Sequence, residues 1–423
     1  MIFCLFLLFE ILSIFFYMKG GVEGPVFFML NFLLVLFCKE SKLYKMFTLL
    51  IMSLPFSFIG IGGMEMTHVL SWYNLFLLLF LVFNLRSLHL SLSAGLPILF
   101  IFFCLTIGTL WSVDPAKAWT EIIQIMVMLL PTSLVFCSRR NLNINSKQIN
   151  QLISIYGHVA FCTAVGMLIQ YYFLFFKGTQ IGMVFFTGGN RISCFCLFRG
   201  ASILPVYMGS GLMALFMQNF SKKSLFDIAE MLIIFMAMVL NTSRTGVFSL
   251  FCVIGYVMFL RLMKNFSFKT AILSVFMIIV AYFGMDSIMS SRERLESFTE
   301  TSGRETTIFN GINIWLDSPR NFLFGEGFTG GMWEGITKTH NFVIQTLAQN
   351  GLIVAVMIFS LIIVYVRKTN KDLYKYVVWF IVLSGMMVTD FYANAFTSIV
   401  FILVSLHCIH PELIGTVKFK KLL

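Results

Sequence analysis

The chain has 423 residues, 59% of them hydrophobic and only 12% charged, with a mean hydropathy of +0.90 and a net charge of +11. A soluble domain carries about 25% charged residues, so a water-soluble globular fold does not fit. The basic residues sit in short clusters between apolar runs, where the positive-inside rule places them, and not on one face, which argues against a nucleic-acid partner.

Apolar runs of about 17–25 residues recur, the length that crosses a bilayer as a helix. The alternating short segments of a membrane barrel are missing. The opening MIFCLFLLFEILSIFF has neither a basic n-region nor an A-x-A cleavage site, so it reads as a first membrane helix and not as a removed signal peptide. Candidate spans lie near 2–17, 22–38, 46–62, 70–85, 94–111, 119–137, 152–176, 200–218, 227–240, 246–262, 269–285, 341–366, 374–389 and 392–409. The first two are short enough to form one re-entrant hairpin. The fold class expected is an all-α polytopic integral membrane protein with about 12 to 14 transmembrane helices, in a single domain over residues 1–423.

Connections alternate in charge. KESKLYK, SRRNLNINSK, SKKS, RLMKNFSFK, RKTNKDLYK and the tail KFKK are basic and are expected on the cytoplasmic side, with both termini. The intervening set is mixed and faces outward. Two outward segments are long: 177–199 and 286–340. Long loops without regular elements are usually functional or disordered. The second carries Trp315, Phe322, Phe324, Phe328 and Trp333, which favours packing. RETTIFNGINIWLDS within it has Ile308, Ile312, Trp315 and Leu316 at helical spacing, the pattern of an amphipathic helix along a membrane surface.

Nine cysteines are scattered through apolar segments without a CxxC pair. Cys194 and Cys196 are too close for an unstrained disulfide. They read as small apolar side chains, and no metal site is expected.

Candidate chemistry concentrates in the outward segments. His340, in TKTHNFVIQTLAQNGLI, precedes a membrane helix. It reads either as an interfacial residue or as a general base, because imidazole titrates near neutral pH. Asn341 caps that helix or holds the imidazole. Arg244 (NTSRTGVF), Arg304 (TSGRETT), Arg191 (GGNRISCF) and Arg199 each read as snorkelling or solvated charges when taken singly. Together with His340 they make a cationic pocket at headgroup depth, and guanidinium forks match phosphate oxygens. A lipid diphosphate suits such a pocket. GEGFTG (325–330) lacks the strand–helix frame of a dinucleotide site and reads as flexible turns or a backbone nest near a phosphate. There is no HExxH and no Asp-rich diphosphate motif. The middles of the expected helices hold almost no carboxylates, which weighs against an ion-coupled transporter.

HNFVIQTLAQNGLIV (340–354) resembles the H-[NSQ]-x9-G-x-x-[GTY] signature of the O-antigen ligase and polymerase superfamily. His340, Asn341 and Gly351 fit it, and Val354 departs at the last position. SRTGVF (243–248) is similar to the family's R-x3-L element, with Phe248 in place of Leu. GRETTIFNGINIWLDSPRNFLFGEGF (303–328), which contains Arg320, looks like the stretch before the family's histidine. NRISCF resembles a segment of its earlier outward loop. The similarity covers about residues 180–410.

The resemblance implies a GT-C-like, metal-independent and cofactor-free glycosyltransferase of the bacterial inner membrane. It would act at the periplasmic face on undecaprenyl-diphosphate-linked glycans. It implies that Arg244 and Arg304 bind the donor diphosphate and that His340 activates the acceptor hydroxyl, with inversion at the anomeric carbon. The candidate substrate-binding residues are Arg191, Arg199, Arg320 and Asn341. Expected partners are the lipid-linked glycan, the lipid membrane and the pathway's chain-length regulator or flippase. Two family activities fit: joining lipid-linked repeats (polymerase) or moving the glycan onto lipid A–core (ligase). The compact loop before His340 and the apparent extra N-terminal helices favour the polymerase. The reading from another class is a transporter or flippase of lipid-linked glycans.

Overall fold

The computed structural model describes the chain except residues 1, 62, 67–70, 113, 143, 188–190, 199, 201, 219–224, 242–243, 265–271, 273–274, 276–278, 280–303, 329–338, 371, 373, 389–393 and 410–423. The described residues are mostly helical. Among the described residues, three helices are long and apolar enough to cross a membrane: Pro115–Ser138, Ser146–Lys177 and Phe342–Thr369. The other apolar helices have 10–17 residues. The described residues fall into two compact units, one within 1–76 and 144–297, the other within 77–143 and 298–409.

In the first unit, α1 (Ile2–Met18) and α2 (Glu23–Phe37) form a hairpin, with Ser13 Oγ donating to Gly24 O at 3.1 Å. Next comes α3 (Lys42–Met52), which stops well short of the expected end at 62. Pro55 lacks the N–H that a continuing helix requires. The chain instead makes a single 3-10 turn and a small hairpin of β1 (Ile59–Gly60) and β2 (Gly63–Met66). The long α7 (Ser146–Lys177) is the pillar of this unit. Its start is fixed by a capping box in which Asn145 and Gln148 satisfy each other's backbone N–H groups. Around it pack α1, α3, α8 (Ile203–Met217) and α9 (Leu225–Leu240), and α10 (Arg244–Lys264) packs against α8. A Cβ at Gly211 on α8 would lie 2.3 Å from Ala160 Cβ on α7. Small residues thus set this close helix contact.

The boundary between units falls inside α4 (Trp72–Asn84). The second unit holds α5 (Leu92–Gly108), α6 (Pro115–Ser138), α11 (Arg304–Leu316), α12 (Pro319–Phe324), α13 (Phe342–Thr369), α14 (Lys375–Gly385) and α15 (Ala395–His407). Here α15 packs on α6 through a Thr132 Oγ1–Ser398 Oγ contact of 2.6 Å, and Tyr365 of α13 stacks on Phe401 of α15 at 4.4 Å. The segment RETTIFNGINIWL is helical as its spacing predicts. Leu316 is exposed, however, and Gly311 and Ile314 form the buried stripe.

Two results depart from a purely helical expectation. One is the β1–β2 hairpin, which takes up the end of the expected span 46–62 and the start of the connection after it. The other is a second hairpin in the 177–199 loop, β3 (Val184–Thr187) paired with β4 (Arg191–Cys194). Phe185, Phe186 and Ile192 around TGGN carried this signal, because apolar runs on both sides of a Gly-Gly-Asn turn favour a hairpin. Only residues 272, 275 and 279 of the expected span 269–285 are described, and all three are helical.

Candidate functional site

The second unit builds its site around a broken helix. α13 begins at Phe342, and its N-cap is Asn341, whose side-chain oxygen accepts from Val343 N at 2.9 Å and Ile344 N at 3.1 Å. Of its two expected roles, Asn341 fills the cap. Immediately before it, His340 has φ 52, left-handed backbone that side-chain-bearing residues seldom adopt. Such a residue persists only where its surroundings hold it, at a cost of about 1–3 kcal/mol. The holding groups are Thr339 and Gln345. Gln345 Oε1 accepts from both Thr339 N and Thr339 Oγ1 at 3.0 Å, and Thr339 Oγ1 also approaches Asn341 O at 3.0 Å. Thr339 and Gln345 are fully buried, and His340 is half-buried.

α11 lies against this turn. A Cβ on Gly311 would come within 2.7 Å of Thr339 Cγ2 and 2.8 Å of Ile344 Cγ2. Arg304 opens the same helix seven residues earlier, two turns away and on the same side of the helix. The second unit therefore brings the backbone of Arg304 and the His340 turn onto neighbouring elements.

Gly351 then breaks α13, with φ 71 and ψ 178. The break removes the in-helix partners of the Ala348 and Gln349 carbonyls. The GEGF turn replaces them: Glu326 N donates to Ala348 O at 2.9 Å and Gly327 N to Gln349 O at 3.0 Å. A Cβ at Gly325 would lie 2.3 Å from Gln349 O, and one at Gly351 2.3 Å from Leu323 O. Two of the backbone N–H groups considered for a phosphate nest are thus already committed, and this turn is a clasp on the helix break.

Arg320, on α12, is engaged within the unit. Its Nη2 donates to Glu326 Oε2 at 2.9 Å and to Asn321 Oδ1 at 2.8 Å, and its guanidinium lies 5.3 Å from the Trp111 ring centroid. α12 is tied to α11 by Trp315, which stacks on Phe322 at 5.2 Å and donates Nε1 to Phe322 O at 3.0 Å.

In the first unit, Arg191 opens β4 and Arg244 opens α10. The segments that carry them meet, because the Asn241 side chain donates to Cys194 O. Gln170 holds the base of the hairpin, with Nε2 donating to Ile181 O at 2.7 Å and Oε1 accepting from Cys196 N at 2.7 Å. Arg199 and the side chains of Arg191, Arg244 and Arg304 lie outside the described residues.

Sequence reasoning missed two sets of polar groups. Among the described residues, Gln345 Nε2, Gln349 Oε1, Asn350 Nδ2 and Trp111 Nε1 are buried without a hydrogen-bond partner. Buried polar atoms normally have one. The spacing of Gln345 and Gln349 on one helix side was the available signal. The second set lies inside the first unit. His158 Nδ1 is 2.9 Å from Glu230, and Asn31 Nδ2 donates to Glu10 at 2.8 Å, with both carboxylates buried. The interior is less devoid of acids than a count along the apolar runs suggested.

No protein-family model matches this chain, and no curated protein matches it either. The likeness to the O-antigen ligase and polymerase superfamily therefore rests on the quoted residues.

Proposed function

We propose that this chain is an integral membrane glycosyltransferase that joins polyprenyl-diphosphate-linked oligosaccharide repeats at the outward face of a bacterial inner membrane, with His340 as the base. The observation that carries this reading is the construction around His340. A left-handed histidine is pinned by a buried Thr339–Gln345 pair, capped by Asn341 and backed by the helix that Arg304 opens. Strained backbone of this kind clusters at functional sites.

In the proposed reaction His340 accepts the proton of an acceptor hydroxyl. The oxygen attacks the anomeric carbon of the donor glycan. The bond from that carbon to the diphosphate breaks, and the lipid diphosphate leaves with the electron pair. Arg304 and Arg244 offset the charge that develops on the leaving group. Arg244 enters by the likeness of SRTGVF alone, Arg191 by that of NRISCF, and Arg199 by its charge in the same outward loop. Arg320 keeps the clasp in shape through Glu326. By the resemblance no metal takes part, so chelation with EDTA leaves the rate unchanged.

His340→Gly is the sharpest test, because glycine relieves the left-handed backbone while removing the imidazole. The variant accumulates and melts at least as well as the parent, yet makes no polymer from purified lipid-linked repeats. Polymer formation by both His340→Gly and Arg304→Ala would overturn the mechanism. A deletion strain that carries a single repeat on its lipid A–core fits the polymerase. Polymer stranded on the lipid carrier fits the ligase.

A second reading, a transporter of lipid-linked glycans, is favoured by the buried Glu10, His158 and Glu230, since ionisable groups inside membranes commonly mark ion or substrate paths. Loss of transport in Glu230→Gln, with His340→Gly fully active, would favour it over the enzyme.

A further inference from the structure

At the other end of the second unit, three helices finish together. The C-terminal ends of α6, α13 and α15 surround a cavity of about 180 Å³ lined by Arg139, Arg140, Lys368, Thr369, Ser405 and Cys408. A water takes roughly 30 Å³ of liquid volume, so there is room for several waters or one phosphate group.

A bland account exists for cations here, because each helix C-terminus carries about −0.5 of a charge. Three such ends offset roughly half of three whole positive charges. The described lining residues supply no carboxylate for the rest. The nearby Asp372 is already occupied. Its Oδ2 lies 2.5 Å from His407 Nδ1 and 3.3 Å from Cys408 Sγ, and its Oδ1 accepts from Tyr374 N at 2.8 Å. Arg139 is held in place, with Nη1 donating to Phe136 O at 2.7 Å and its guanidinium 4.1 Å from the Phe136 ring centroid. Burial lowers its pKa and the neighbouring Arg140 adds to that, against an opposing pull from Cys408. The group stays charged, because the ordinary arginine value is far above neutral pH. It is therefore a partly desolvated cation with guanidinium donors to spare. The cavity sits where the two basic connections 138–147 and 367–375 begin, the side that the positive-inside rule assigns to the cytoplasm.

We infer that this cavity is a binding site for a phosphate group at the cytoplasmic face, held by Arg139, Arg140 and Lys368. Basic pockets between membrane helices on this side commonly take anionic headgroups. The same chemistry would be met by free phosphate. The inference is independent of the role proposed for His340.

The test uses the full chain purified in detergent. Phosphatidylglycerol, diacylglycerol with the same acyl chains and inorganic phosphate are offered separately. Lipid retention is read by native mass spectrometry, and protection by the thermal midpoint. The parent protein retains phosphatidylglycerol at least tenfold more than diacylglycerol. The doubly substituted Arg140→Gln/Lys368→Gln protein loses that preference, while Arg140→Lys/Lys368→Arg keeps it. Both side chains are exposed, so the fold tolerates the exchanges, and an unchanged midpoint without ligand checks this. Protection by inorganic phosphate in the parent but not in the neutral variant identifies free phosphate as the occupant instead of a lipid headgroup. The inference falls if the neutral variant retains the lipid and responds to phosphate like the parent, or if the parent binds neither. His340→Gly retains full binding, so this site and the proposed active site fail or survive separately.

Discussion

The two ends of α13 are built on different physics. At its start the chain is held by neutral hydrogen bonds, a capped helix, a buried amide and two glycines pressed on backbone. At its finish, around Thr369, cations line an open cavity and no described carboxylate answers them there. The first end is sensitive to shape, where one methyl group is too much. The second is sensitive to charge, where side-chain shape can change but sign cannot. A site that must hold a reacting group within a fraction of an ångström needs the first kind of construction. A site for a mobile anion works with the second.

The largest effect expected is at the helix break. Gly351→Ala places a Cβ 2.3 Å from Leu323 O in a backbone region that L residues avoid, which costs more than about 3 kcal/mol. The protein should fail to accumulate in membranes, as read by immunoblot, and normal accumulation would break the shape side of the comparison. Next is Gln345→Leu. It keeps the volume but strips the Thr339 N–H of its acceptor and leaves the Thr339 hydroxyl only Asn341 O, a loss of about 1–3 kcal/mol. The melting temperature falls, and activity falls further than the melting temperature explains, because the His340 turn loosens. Third is Asn341→Ala, which removes the cap bonds to Val343 N and Ile344 N at a cost of about 0.5–2 kcal/mol. Asn341→Ser restores much of the stability if capping is its whole role. The smallest effects are in ion pairs and lone charges. Arg320→Gln breaks the pair with Glu326, but the Arg320 side chain is 47% exposed, so the cost is below about 1 kcal/mol. Lys368→Gln at the opposite end moves the melting temperature hardly at all, since surface exchanges stay within about 0.5 kcal/mol. It acts on anion binding alone.

Much of the helical plan was legible in sequence, because bilayer-length apolar runs leave few alternatives to helix. α6, α7 and α13 lie where apolar length put them, and the Arg304–Leu316 helix follows its own periodicity. The early end of α3 was partly legible in Pro55, which a hydropathy count passes over. The β3–β4 hairpin was partly legible in TGGN. In the candidate site, His340, Asn341 and Gly351 could be picked out as a motif. Their mechanical roles could not, because a glycine's neighbours and an amide's partners come from segments distant in sequence. Gly351 is required by Leu323 and Gly325 by Gln349, and neither pair is visible in one dimension.

By itself, then, the sequence determined apolar runs long enough to cross a membrane, the order of the helices and an alternation of charge between them. Hydrophobic length and basic clusters are local properties, and they act on each segment separately. Tertiary structure decided which polar groups meet. It turned GEGF from a possible phosphate nest into the clasp of a broken helix and made Asn341 a cap. It set His340 in a left-handed turn and gathered Arg139, Arg140 and Lys368 around one cavity. Each of these depends on distances between segments far apart in the chain, and only packing sets them.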